Sequence, residues 1–223
     1  MLSAWPDKTE SVTDLHASFP SGFFSRADES PDDAFYVPDR FVTHIDDRAI
    51  AAVGALYREL GLTGSVLDIM SSWISHFLDR PNELVAMGMN QRELARNEMT
   101  HEVLVQDLNV DQRLPFDDGR FDAVTCCVSV DYLTRPIDVL LEASRVLKPG
   151  GIVVCTFSNR CFPTKAIRGW LSLDENARCE LVARYLKLAG FTDVTIALRT
   201  PPNTYGDPLY AVTGRSQYLG SVE

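Results

Sequence analysis

The stretch Val66-Leu67-Asp68-Ile69-Met70-Ser71-Ser72-Trp73 is where this chain is best equipped to hold a ligand. An apolar run that stops at an acid and turns at once is how an open α/β sheet presents its first ligand loop, beyond the carboxyl end of a strand. Such loops usually carry glycine so that backbone can approach the ligand closely, yet no glycine occurs between Gly64 and Gly88. Ser71 and Ser72 offer hydroxyls and turn geometry in their place. Asp68 reads either as a ligand-facing acid or as the cap of a following helix, and Ser71 and Ser72 carry the same two readings. Trp73 reads as loop packing or as a stacking partner. His44 has the titration range for proton abstraction or a simple local hydrogen-bonding role, and His76 reads as packing. Arg160, with Asn159, could clamp a carboxylate or phosphate through its guanidinium, or form a surface ion pair. In the N-terminal arm, Arg26, Asp28, Glu29, Tyr36 and Arg40 could close over a pocket and exclude water, or simply dock on the surface.

These residues need elements to hold them. Ile45, Ala49, Ala52, Val53, Leu56, Tyr57 and Leu60 recur at helical spacing over 44–60, with Thr43 as N-cap and Asp46 and Asp47 in the first turn. Strands are predicted at 65–69, 83–87, 102–106, 121–128, 152–157, 192–198 and 209–213. Helices are predicted at 73–78, 91–97, 135–147 and 174–188. Phe121–Val128 is almost continuously apolar, as in a strand buried on both faces. Lys148-Pro149-Gly150-Gly151 ends the preceding helix by charge, blocked continuation and positive φ. Alternation of strand and helix over five strands predicts a parallel sheet with helices on both faces. The last two strands, joined by a Pro-rich loop, predict an antiparallel finish. The fold class is therefore α/β, a Rossmann-like doubly wound seven-stranded sheet.

The chain has 223 residues, is 45% hydrophobic, and carries a net charge of −10. That is enough apolar material for one domain with an extension. Residues 1–43 read as an arm, polar and partly mobile at first, 44–216 as the domain and 217–223 as a tail. The acidic balance disfavours nucleic acid and anionic membranes, and no apolar stretch is long enough to span a bilayer. Cys126, Cys127, Cys155, Cys161 and Cys179 show no CxxC pair and no Cys/His ligand spacing, so no metal is expected and a reducing, cytoplasmic setting is. No G-x-G-x-x-G follows a strand, which argues against a nicotinamide dehydrogenase.

Val66-Leu67-Asp68, Leu114-Pro115-Phe116 with Phe121-Asp122, and Val146-Leu147-Lys148-Pro149-Gly150-Gly151 together resemble class I S-adenosylmethionine-dependent methyltransferases of the small-molecule, type 11-like kind. Met70-Ser71-Ser72-Trp73-Ile74-Ser75-His76, Gly88-Met89-Asn90 and Ser158-Asn159-Arg160 resemble a subgroup with a Met-Ser-Ser-Trp loop in place of the glycine-rich one. The resemblance implies methyl transfer to a small-molecule acceptor, with S-adenosylmethionine as cofactor. Asp68 would lie near the methionine amino group, with Met70, Ser71, Ser72 and Trp73 in the cofactor loop. The family's ribose-binding acid falls in register with Gly88, within Met87-Gly88-Met89-Asn90; Asn90 would then offer a ribose hydrogen bond. Asp107 and Leu108 would meet the adenine, and Cys127 and Val128 would lie under the cofactor. Asp131 and Tyr132, after strand four, would face the acceptor with His44, and Tyr36, Arg40, Asn159 and Arg160 would bind it. The altered loop and Gly88 keep a second reading open, a methyltransferase-like binding or regulatory module without catalysis.

Overall fold

A computed structural model describes residues 14–202 and 206–217. The expectations for residues 1–13, for the middle of the Pro-rich loop and for the tail beyond 217 lie outside the described residues. Strands β1 (Ser65–Ile69), β2 (Glu83–Gly88), β3 (Glu102–Val105), β4 (Phe121–Cys127), β5 (Leu147–Phe157), β6 (Thr192–Thr200) and β7 (Leu209–Arg215) form one sheet in the order β3-β2-β1-β4-β5-β7-β6. The first five are parallel, and β7 runs against both β5 and β6. Among the described residues no helix separates β6 from β7, and β7 turns back beside β6. Strand order reverses between β1 and β4, and that switch point opens a crevice at their carboxyl ends.

Helices α1 (Asp32–Tyr36), α2 (Asp47–Glu59), α3 (Gln91–Leu94), α4 (Pro136–Val146), α5 (Arg168–Leu171) and α6 (Glu175–Leu188) complete the fold. Alternation along the strands sorts the core into two layers. Val66, Leu84, Ala123 and Val154 pack beneath α2 residues Ala49, Val53 and Leu56. Leu67, Ile69, Val85 and Val124 face the other way, in the cluster that holds α4 residues Ile137 and Leu140 and α6 residues Val182 and Tyr185. Asp68, two residues after Val66, therefore ends the column on the α2 side.

Several elements differ from expectation, the helix expected over 91–97 among them, since α3 ends at Leu94. Helix α2 starts at Asp47, and its cap is Asp46, not Thr43. Asp46 Oδ1 accepts from Ala49 N at 2.8 Å, while its backbone N–H and its Oδ2 exchange hydrogen bonds with Asp207. This long-range pairing fixes the helix start. The expected helix over 73–78 is absent. Met70 and His76 have φ of +54° and +28°, which break helical continuity. Ser71 N donates to Met87 O at 2.7 Å instead, and Gly54 of α2 leaves room for the His76 carbonyl, which a Cβ there would approach to 2.9 Å. At Lys148-Pro149-Gly150-Gly151 the strand begins earlier than expected: Leu147 already pairs with Phe121, and a bulge absorbs the extra residues before Ile152 meets Ala123.

The described part of the arm lies on the domain. Phe19 and Phe24 pack on Tyr185 of α6, and Arg26 bridges to Ile167. Lys165, fully buried, places its ammonium 3.1 Å from Asp28 and 3.1 Å from Asp32. Arg26 binds both oxygens of Asp32 at 2.8 and 2.7 Å. These mutually satisfied charges hold α1 over the strand ends.

Candidate functional site

The cleft lies at the carboxyl ends of β1 to β4 and is roofed by the arm. Asp68 is at its floor, almost fully buried. Thr125, in register with it on β4, donates its hydroxyl to Asp68 Oδ1 at 2.7 Å. Ser71 and Ser75 donate to Oδ2 at 2.7 and 2.6 Å. Burial raises the Asp68 pKa, and the three hydroxyls work against that rise. Asn97 Nδ2 donates to Ser75 Oγ at 2.7 Å and extends the network to the segment after α3. Side chains thus hold the 70–76 loop in a shape that a helix would otherwise supply, and the carboxylate organises the loop rather than capping a helix.

Gly88 and this loop are coupled. A Cβ on Gly88 would sit 2.1 Å from the Ser71 carbonyl oxygen, closer than real Cβ contacts come. The loop crosses the end of β2 so tightly that no side chain fits there, an acid least of all. The two departures from the glycine-loop pattern are therefore one structural change. The nearby carboxylate is supplied by Glu93 of α3, buried in the cleft wall. Its Oε2 accepts from Ser72 Oγ at 2.5 Å and its Oε1 from Arg40 N at 2.7 Å. Asn90 caps α3 through Oδ1 and donates Nδ2 to Tyr36 O at 3.1 Å and Asp39 at 3.0 Å, so its amide is already engaged. The Trp73 indole N–H donates to Val42 O at 3.1 Å, and its ring packs edge-on to Phe41.

At the end of β3, Asp107 Oδ1 accepts from Asn109 N at 2.8 Å, and burial together with the nearby Asp32 carboxylate raises its pKa. Asn109 Nδ2 bridges Asp32 at 2.9 Å and the Tyr132 carbonyl at 3.0 Å, tying arm to strand ends. Beyond β4, Val128 adopts φ +48° while its N–H donates to Thr156 O at 2.7 Å. Ser129 Oγ donates to Cys127 O at 2.9 Å. The Cys127 thiol is pushed up to about 12, chiefly by burial, so it is a neutral wall and not a nucleophile.

All twelve residues expected at the cofactor line this one cleft: Asp68, Met70, Ser71, Ser72, Trp73, Gly88, Met89, Asn90, Asp107, Leu108, Cys127 and Val128. Tyr36, Arg40, His44 and Tyr132 line it too. Asp131, Asn159 and Arg160 are not among its lining residues. Asp131 is buried beside it, and its backbone carbonyl accepts from Ile167 N. Burial pushes its carboxyl up to about 7. Arg160 is 67% exposed and pairs with Asp207 at 2.8 Å, the same carboxylate that binds Asp46. Its guanidinium is occupied in the structural link that starts α2. Sequence reasoning missed Glu93, Asn109, Asp32 and Phe162. Asn109, two residues after Asp107, was within reach of a positional argument. The other three enter through α3, the arm and the segment after β5, whose mutual docking no local pattern announces.

A family model described as a methyltransferase domain matches residues 62–155. Demethylmenaquinone methyltransferase of Clavibacter sepedonicus is 41% identical over 73 residues, 32% of this chain and 30% of that protein. Demethylmenaquinone methyltransferase of Staphylococcus carnosus is 35% identical over 101 residues, 45% and 36% of the two chains. Malonyl-(acyl-carrier protein) O-methyltransferase of a Marinomonas species is 28% identical over 116 residues, 50% and 41%. The chain thus aligns with less than half the length of these relatives. Among solved structures, the cyclase SpnF superposes with a TM-score of 0.60 at 16% identity, covering 81% of this chain and 89% of that one. An S-adenosylmethionine-dependent methyltransferase from Archaeoglobus fulgidus superposes with a TM-score of 0.56 at 17% identity, covering 76% and 94%. At such identities the likeness concerns the fold alone.

Proposed function

Residues 62–155 match a methyltransferase domain model, and from that likeness we propose that this chain is an S-adenosylmethionine-dependent methyltransferase that transfers a methyl group to a small-molecule acceptor. The observation that carries this reading is the charge of the cleft. Asp32, Asp68, Glu93 and Asp107 line it against the single guanidinium of Arg40. Such a set suits a ligand bearing a sulfonium and an ammonium, since buried or half-buried carboxylates gain most from a cationic partner. Asp68 keeps acceptor capacity beyond its three hydroxyls, because an ionised carboxylate offers about four lone-pair sites. Asp107 has one oxygen bound to Asn109 N–H, leaving the second for an amino group on a purine edge. Glu93 brings a carboxylate to the cleft wall, where Gly88 at the end of β2 carries no side chain.

The bound cofactor supplies an electrophilic methyl group on a cationic sulfur. The protein's own part is alignment and exclusion of water. Val128 through its backbone N–H and Ser129 through its hydroxyl fix one wall, and α1, clamped by Lys165 and Arg26, covers the top. Holding two reactants in line contributes much of the rate in such transfers. The rival reading, a module without catalysis, draws support from Asp68, whose hydroxyl partners already satisfy much of it. Calorimetry with S-adenosylhomocysteine separates the two. Saturable binding supports the methyltransferase reading, and no detectable heat at millimolar ligand favours the inactive module.

A further inference from the structure

Two residues beyond Asp107, Asn109 stands where three parts of the cleft wall meet, and it lines the cleft itself. Its Nδ2 donates to Asp32 Oδ2 of the arm at 2.9 Å and to the carbonyl of Tyr132, after β4, at 3.0 Å. Its Oδ1 accepts from Thr134 N at 2.8 Å and from Thr134 Oγ1 at 3.1 Å. Its own backbone N–H holds Asp107 Oδ1 at 2.8 Å. A side-chain amide has two N–H donors and two lone pairs, and here the protein takes all four. Asn109 therefore has nothing left to offer a ligand, and whatever it does for one it does through the groups it holds.

Asp32 is filled in the same way. Arg26 Nη1 donates to both of its oxygens, Lys165 Nζ lies 3.1 Å from Oδ1, and Asn109 occupies Oδ2. Arg26 belongs to the arm and Lys165 to the segment after β5, so neither ties the arm to β3. Farther along the arm, Asn90 and Glu93 hold the Tyr36 carbonyl and the Arg40 N–H. Among the described residues, the Asn109–Asp32 bond is the one side-chain hydrogen bond that joins the arm to the segment following β3. It also eases a conflict of charge. Burial, and after it the Asp32 carboxylate, raises the Asp107 pKa, so the two acids feel each other. Asn109 donates to both, through its backbone to Asp107 and through its side chain to Asp32.

Resting on the methyl-transfer reading above, we propose that Asn109 is a positioning residue that couples closure of the arm to occupancy of the cofactor cleft. A ligand seated against Asp107 and Leu108 shares its cleft with Tyr36 and Arg40 of the arm. It gains most when those two walls keep one spacing, and the Asn109 amide sets that spacing by bonding Asp32, Tyr132 and Thr134 at once. Linkage is reciprocal: a ligand that favours the closed arm is favoured by it to the same factor, commonly roughly 5- to 150-fold. Without the amide, the arm keeps Lys165 at one end and Asn90 and Glu93 at the other, so it stays docked but no longer answers to the ligand. A merely structural tie would behave differently. Its loss would loosen the arm whether or not ligand is bound, and would leave ligand affinity unchanged.

The test titrates S-adenosylhomocysteine into the full chain by calorimetry and follows trypsin cleavage after Arg26 and Arg40 by mass spectrometry, with and without saturating ligand. In the wild type, bound ligand should slow this cleavage about tenfold. Asn109→Asp keeps the acceptor for Thr134 but cannot donate, and it sets a second carboxylate against Asp32. This variant should bind S-adenosylhomocysteine about tenfold more weakly and lose the ligand-dependent protection. Asn109→Ala, which adds no charge, should act in the same direction and decides the matter if Asn109→Asp does not fold. Adding Asp32→Asn to Asn109→Asp exchanges amide and carboxylate across the same bond and should restore protection. The proposal is overturned if bound ligand leaves wild-type cleavage unchanged, or if the single variants bind the ligand and are protected by it as the wild type is. It is overturned equally if the folded double variant is protected no better than Asn109→Asp alone. Failure of the cofactor reading looks different: the wild type itself then gives no heat with S-adenosylhomocysteine at millimolar concentration, and this coupling falls with that reading.

Discussion

Replacing Gly88 by Asp would install the acid that ends β2 in the glycine-loop pattern. If Gly88 were merely a lost ligand, the change should tighten cofactor binding. The geometry argues the opposite. The new Cβ would lie 2.1 Å from the Ser71 carbonyl oxygen, a backbone atom that cannot rotate away. Relief requires the loop to retreat by roughly 1 Å, in an interior that packs like an organic crystal. Overpacking of this kind costs about 1–3 kcal/mol. The same retreat breaks the Ser71 N–H bond to Met87 O at 2.7 Å, a further loss of about 1 kcal/mol. A total of about 2–4 kcal/mol corresponds to a melting temperature lower by roughly 5–15 °C for a chain of this size. Scanning calorimetry and urea unfolding would measure it, with S-adenosylhomocysteine titrated into the same samples. Gly88→Ala should lose nearly as much stability as Gly88→Asp, because the first side-chain carbon is the obstacle. A Gly88→Asp protein as stable as the wild type, binding the ligand tenfold more tightly, would refute the coupling of Gly88 to the serine loop.

Three further outcomes follow from the packing. The Asp131 carboxyl stands at about 7 in the folded protein against an ordinary 3.8, so the folded state holds this proton more tightly than the unfolded chain. Stability from this group is full below about pH 4 and falls by up to about 4 kcal/mol as pH rises to about 7. Asp131→Asn should flatten that slope in urea unfolding curves taken across this range. Lys165→Met removes the buried ammonium between Asp28 and Asp32; with Arg26 still on Asp32 the loss is about 1.5–3 kcal/mol. Trypsin should then cut within residues 26–40 faster than in the wild type, as read by mass spectrometry. Ser75→Ala withdraws a donor from Asp68 and the acceptor of Asn97 Nδ2. It should lower unfolding free energy by about 1–3 kcal/mol and weaken S-adenosylhomocysteine binding, since the loop loses its anchor.

Much of this architecture was legible because it rests on local patterns. Val66-Leu67-Asp68 announced a buried strand with a ligand-facing end, and Lys148-Pro149-Gly150-Gly151 announced a helix stop. Alternation of strand and helix, then its failure after α6, dictated a parallel sheet with one reversed strand. Strand patterns put Asp68, Gly88, Asp107 and Cys127 at strand ends, and the family resemblance assigned them to the crevice of a doubly wound sheet. Other features depend on contacts between residues far apart in the chain. The helix expected over 73–78 does not form, because Thr125 and Asn97, distant in sequence, join Ser71 and Ser75 in a network around Asp68. Arg160 carried two readings, a substrate clamp or a surface ion pair, and its ion pair with Asp207, which also bonds Asp46, decides for the second. Lys165 and Asp32, separated by more than a hundred residues, decide that the arm forms a roof. Glu93 and Phe162 acquire meaning only under that roof. Periodicity records which face of an element is buried, and so it reveals the sheet; a polar group's role depends on which partners the fold brings within about 3 Å, and that only tertiary structure decides.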